Sequence, residues 1–276
     1  MAAPHKAIVI GISGPSSSGK TTLSRLLRDI FPNTFIVHED DFYLPEEKLP
    51  KKDDLVDWDC AESLNIPRIV ETLEYVHENA ALPVRNPSPQ LSPASDERHM
   101  SSTMTDSSNS VGECPVPNEA IAEVKSQVKE WLQPGNPGHG ILQDASNPTS
   151  ICLFDGFLLY SESLAPVQSQ LDLKLFLRVS YAKAKARREA RSGYATLEGF
   201  WEDPPGYVDK IVWPNYVENH KWMFQDGDVD GQLKRDVLAD KDIKCQDEVP
   251  DVDMTTTLRW AVATITESLP SLAKHI

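Results

Sequence analysis

The stretch GISGPSSSGKTTLSRLL runs from Gly11 to Leu27. Before it, Lys6-Ala7-Ile8-Val9-Ile10 reads as a buried strand; after it, Leu23, Leu26, Leu27 and Ile30 mark the core face of a helix. Pro32 stops that helix. Between the two, Gly14 to Thr21 fits G-x-x-x-x-G-K-[ST] at every position. Such a loop points successive backbone N–H groups inward around a pyrophosphate. Gly14 and Gly19 permit the backbone angles and close approach that this needs. The helix start adds its positive dipole end. Lys20 is expected to reach the β- and γ-phosphates, and the Thr21 hydroxyl to hold Mg2+. Ser16, Ser17, Ser18 and Thr22 complete the expected phosphate-binding set. The loop therefore predicts the tail of a nucleoside triphosphate as ligand, without saying what the triphosphate is used for.

Composition bounds the partners. A chain of 276 residues with 40% hydrophobic content has material for a real core, in one large domain or two small ones. A net charge of −15 makes general nucleic-acid binding a poor fit and suits a neutral or cationic small substrate. Cys60, Cys114, Cys152 and Cys245 are scattered and form no CxxC pair, which predicts a reducing compartment, the cytosol by default. The apolar run near the start is too short for a membrane span and is needed as a strand, so no membrane association is expected.

Strands are predicted near 7–12, 35–38, 151–154 and 173–179, with helices near 20–30 and 62–77. This alternation predicts a mostly parallel central sheet with helices on both faces, the three-layer α/β fold of P-loop NTPases. Residues 86–118, NPSPQLSPASDERHMSSTMTDSSNSVGECPVPN, are rich in Ser and Pro and read as a disordered insertion, one able to dock an unknown protein partner. A short helix with Ile121, Val124, Val128 and Leu132 on one face follows, then a Pro/Gly-rich connection over 134–150. A last helix is expected over 257–269. One domain spanning 1–276 is expected, because both flanks of the insertion supply strands. Residues 226–253 hold ten acids and four bases and read as an acidic surface segment. Its DGDVDG start imitates a calcium loop, but the twelfth position is Val237 where a bidentate Glu is required.

Chemistry beyond phosphate binding needs an acceptor-side carboxylate and further positive charge. In HEDDFY, directly after the second strand, Asp40 or Asp41 is placed to take a hydroxyl proton; a solvated acidic turn is the plainer reading. In LFDGF, Asp155 ends the third predicted strand, either to organise Mg2+ and its waters or as a helix cap. YAKAKARREARSGY carries Lys183, Lys185, Arg187, Arg188 and Arg191, a lid of transition-state cations or a solvated basic face. Trp58 and Asp59 precede a helix; Asp59 either caps it or grips a ribose diol beneath a base stacked on Trp58.

Taken together, GISG-x4-GKTTL, DDFY, WD-x3-SLN, FDGFLLY and PGYVDKIVWPNY resemble the nicotinamide riboside kinases of the P-loop nucleoside kinase group. The resemblance covers roughly residues 6–85 and 150–225. It implies ATP-dependent phosphorylation of the 5′-hydroxyl of nicotinamide riboside or nicotinic acid riboside, with Mg2+. It implies Asp40 as catalytic carboxylate beside Lys20, and Tyr43 and Trp58 around the nicotinamide ring. It further implies Asp59 on the ribose hydroxyls, Arg188 on the nucleoside side, and Arg187 and Arg191 near the phosphates. Three departures stand out: Asp155 occupies a place where many relatives carry Glu, Ser192–Asp203 fits the family's lid poorly, and the Ser/Pro-rich insertion is not part of the family's pattern. A cationic ring between two aromatics gains about 0.5–2 kcal/mol over neutral uridine, at most roughly thirtyfold. A uridine/cytidine kinase is thus the nearest alternative, and a non-catalytic nucleotide-binding scaffold the alternative of a different class.

Overall fold

The computed structural model describes residues 6–83, 113–144, 149–191, 193–196, 199–246 and 250–274. Its centre is a five-stranded sheet. The strands are β1 (Lys6–Ser13), β2 (Thr34–His38), β5 (Thr149–Gly156), β6 (Leu173–Phe176) and β9 (Ile243–Cys245). Their order is β2-β5-β1-β6-β9, and every neighbouring pair is parallel. Side chains alternate across a strand. Ala7 and Val9 of β1 therefore enter one core cluster, while Ile8, Ile10 and Ile12 enter the other. Helices cover both faces, giving the three-layer P-loop NTPase-type arrangement.

Helix α1 (Lys20–Ile30) spans the predicted residues. Leu23 and Leu27 are fully buried, each contributing about 1.5–3 kcal/mol of hydrophobic stabilisation. Helix α2 (Ile66–Asn79) begins later than the pattern at 62–77 suggested. The Asn65 side chain caps it by accepting the Arg68 N–H at 3.2 Å, and Pro67 sits in its first turn. Glu62 falls instead in a single 3-10 turn, Ala61–Ser63.

Helices α3 (Asn118–Trp131) and α4 (Pro137–Leu142) join α1 and the last helix, α9 (Met254–Leu272), over the second cluster. Helix α4 and the first residues of β5 occupy the 134–150 stretch that reads as a plain connection. Of the predicted insertion, 86–112 lies outside the described residues; Val116 is buried and packs in the second cluster.

Two features correct the sequence reading. Strand β6 ends at Phe176, short of 179. The Leu177 N–H still donates to the Ser13 carbonyl at 2.8 Å, but the chain then turns past the loop, where the Leu177 carbonyl abuts Gly14. The 226–253 segment is more than an acidic surface: it supplies helix α8 (Arg235–Asp240) and β9, whose buried Ile243 pairs with Lys174. Two antiparallel hairpins stand apart from the central sheet's strand order. One joins β3 (Lys51–Lys52) to β4 (Leu55–Val56) through Asp53 and Asp54, both at positive φ as a tight hairpin turn demands. The other joins β7 (Tyr194–Thr196) to β8 (Gly199–Trp201). Among the described residues, no helix is long and apolar enough to cross a membrane.

Candidate active site

The site is built at the carboxyl ends of β1, β5 and β2, where a parallel sheet presents its loops. The loop after β1 holds Gly14, Ser17 and Gly19 at positive φ. A Cβ on Gly14 would meet the Leu177 carbonyl oxygen at 2.5 Å, so only glycine fits. The Ser17 and Ser18 hydroxyls are buried with no protein partner among the described residues. Buried hydroxyls of this kind suit a ligand that brings its own acceptors. Lys20 folds back so that Nζ donates to the Gly14 and Pro15 carbonyls at 2.9 and 3.0 Å. Burial lowers its pKa to about 8, against the pull of Asp155, Asp40 and Glu39. Thr21 and Thr22 stand half-buried in the first turn of α1.

Strands β2 and β5 place His38 beside Asp155 in register. His38 Nδ1 donates to Asp155 Oδ1 at 2.6 Å, and the Ser24 hydroxyl of α1 donates to Oδ2 at 3.2 Å. Burial works against a charge on His38, but Asp155, Asp41 and Asp40 outweigh it and raise the imidazole to about 9. Burial likewise opposes the Asp155 charge, yet His38, Lys20 and Ser24 hold its carboxyl below the usual range. Asp155 therefore stands ionised between two donors.

The turn after β2 separates three acids by environment. Glu39 is fully buried; its Oε2 accepts the Phe157 N–H at 2.6 Å, and burial lifts its carboxyl to about 8. A Cβ on Gly156 would sit 2.6 Å from that oxygen, so the glycine makes room for it. Asp40 opens to solvent. The walls around it and the facing Asp155 raise its proton affinity, while His38, Lys20 and Arg191 lower it. Asp41 is raised to about 6, chiefly by burial, and is hydrogen-bonded to the His38 backbone.

Helix α6 (Tyr181–Glu189) sorts the basic run by its turn. Lys185 pairs outward with Asp209 at 2.6 Å, and Lys183 donates to the Asp251 carbonyl at 3.5 Å. Neither meets the loop. Arg187 donates to the Ser17 carbonyl at 3.1 Å. Arg191 is exposed, yet its charge bears on both Lys20 and Asp40. Arg188 is buried and forks onto Asp59, at 2.7 and 3.0 Å, and onto Asp203, at 2.6 and 3.1 Å. Its NH1 also donates to the Ser16 hydroxyl at 3.1 Å.

Around this hub lies an aromatic wall. Tyr43 and Trp58 meet edge to face, ring centres 5.2 Å apart at 85°. A flat ring can stack on one of them and meets the other by its edge, so the pair does not form two parallel faces. Trp201 leans on Trp58 at 5.7 Å and donates its indole N–H to Asp203 at 3.0 Å. The Asn215 amide donates to both Asp57 oxygens, at 3.0 and 2.8 Å, and to the Asp59 carbonyl at 3.2 Å. Asp203 and Trp201 lie in no motif, while His38 and Glu39 within HEDDFY and Asn215 within WPNY were given no role from the sequence.

No protein-family model matches this chain. Among curated proteins, it is 35% identical to nicotinamide riboside kinase of Schizosaccharomyces pombe over 96% of this chain and 99% of that protein. It is 28% identical to nicotinamide riboside kinase of Saccharomyces cerevisiae over 92% and 94%. It is 26% identical to human nicotinamide riboside kinase 1 over 79% of each chain. Against solved structures, thymidylate kinase from Candida albicans overlays loosely, with a TM-score of 0.37 and 13% identity over 96% of this chain and 94% of that one.

Proposed function

This chain belongs to the nicotinamide riboside kinase family, and we propose that it transfers the γ-phosphoryl group of ATP to the 5′-hydroxyl of nicotinamide riboside, with nicotinic acid riboside as a second acceptor. The product is the mononucleotide, which feeds NAD synthesis. The observation that carries this reading is Arg188, which touches Ser16 of the phosphate loop and Asp59 of the nucleoside pocket with one guanidinium.

In the mechanism, Asp59 accepts the ribose hydroxyls, Arg188 holds that carboxylate and turns an N–H from Ser16 to the ribose, and Tyr43 and Trp58 contact the ring. Asp40 orients the 5′-hydroxyl and accepts its proton as O5′ bonds to the γ-phosphorus and ADP departs. Lys20 leaves its carbonyls for the β- and γ-phosphates. Arg187 and Arg191 add positive charge where the transferring group develops negative charge. The donor set at the loop is all oxygen, Thr21 hydroxyl and Asp155 carboxylate, which suits Mg2+ completed by phosphates and waters. Held by Thr21 and Asp155, Mg2+ would supply neutralisation of the phosphate charge. The free thiols of all four cysteines support a cytosolic location.

The test is steady-state phosphorylation of a nucleoside panel with ATP. Nicotinamide riboside is expected to give the highest kcat/KM. Uridine or cytidine exceeding it would move the chain to the pyrimidine alternative.

A further inference from the structure

We propose that His38 is a positioning residue of the phosphoryl-transfer centre: from β2 it fixes the Asp155 carboxylate in the orientation that faces α1 and the Mg2+ expected at Thr21. The inference rests on the proposed role of Asp155 toward that ion.

Three observations carry it. First, each Asp155 oxygen has one donor, His38 Nδ1 at 2.6 Å on Oδ1 and the Ser24 hydroxyl at 3.2 Å on Oδ2. Two donors on opposite oxygens leave the carboxylate one rotation. Second, those donors come from different elements. His38 is the register partner of Asp155 in the neighbouring strand, and Ser24 stands one helical turn beyond Thr21, on the same side of α1. The pair thus ties the strand ends to the helix that starts the phosphate site. Third, Asp155 is nearly buried and one methylene shorter than a glutamate, so its reach depends on aim. The charged groups facing His38 are Asp155 from β5 and Asp40 and Asp41 from its own turn, all of one sign. Carboxylates that hold a metal ordinarily need such an outer partner, and losing it costs about 10–100-fold in metal affinity or activity.

The test uses the full chain and calorimetry of ATP binding with and without Mg2+, alongside kcat and KM. His38→Leu keeps comparable bulk and removes the donor. It should cut the Mg2+-dependent gain in ATP affinity by about tenfold or more and lower kcat. Mg2+-free ATP binding and nucleoside KM should hold. His38→Asn puts an amide N–H near the place of Nδ1 and should restore most of the gain. Asp155→Asn checks the premise and should lose the gain as well. If Asp155→Asn loses the gain and His38→Leu keeps it, the inference is overturned and its premise stands. If Asp155→Asn keeps the gain, both fall. If His38→Leu and His38→Asn are equally impaired, and Mg2+-free ATP binding falls with them, His38 only supports the fold and the inference is wrong.

Discussion

Arg188 grips Asp59 through two N–H···O contacts of 2.7 and 3.0 Å inside the protein. The fork on Asp203 makes this one cation between two carboxylates. Removing it strands both. Arg188→Ala is expected to destabilise the fold by about 3–5 kcal/mol. Arg188→Lys keeps the charge without the fork and should raise nucleoside KM more than it lowers kcat. Thermal melting and steady-state kinetics read the two effects; a lysine variant with unchanged KM would show that the fork is not needed.

Lys20 rests on two loop carbonyls, in a helix whose packing does not depend on it. Lys20→Ala should lower kcat by at least about 10²–10³ while leaving the melting temperature near that of the parent. A well-folded variant with full turnover would remove the phosphate-loop assignment.

Glu39 gives a pH prediction. Its folded pKa of about 8 stands above the ordinary value of 4.5. The protonated form is the one the fold favours, so this contribution is complete below 4.5 and fades as pH climbs through about 8. Glu39→Gln still accepts the Phe157 N–H and does not titrate. Relative to it, the parent should lose stability between about pH 5 and pH 8, by up to ~1.4 kcal/mol per pH unit. Denaturant unfolding of both proteins across that range measures the difference, and parallel curves would mean that Glu39 is ionised in the fold.

The sheet was legible where strands are long and buried. Lys6-Ala7-Ile8-Val9-Ile10 and Ile151-Cys152-Leu153-Phe154 announce themselves, because apolar runs on both faces leave no polar alternation to confuse. Strand β9 did not. Ile243-Lys244-Cys245 is too short for a period to appear, and the acids around it dominate composition. The site divides in the same way. The phosphate loop is local, so its residues could be read from spacing alone. Asp59 and Arg188 lie far apart in the chain and meet only through the fold. Asp203 and Trp201 lie in the stretch that fits the family's lid poorly, where no pattern offers a guide. His38 precedes Asp40 and Asp41 in the chain, but its partner is across the sheet rather than along the chain.

The central claim is that Asp40, open to solvent, is the base, and that Asp41, half-buried and tied to the His38 backbone, only supports the turn. The measurement is kcat and KM for nicotinamide riboside with Asp40→Asn and Asp41→Asn side by side. Asparagine keeps the shape but cannot take the proton. Asp40→Asn should lower kcat by ~10²–10⁴ with a smaller change in nucleoside KM, while Asp41→Asn stays close to the parent. Collapse of kcat in Asp41→Asn with Asp40→Asn unimpaired, or in neither, would contradict the account.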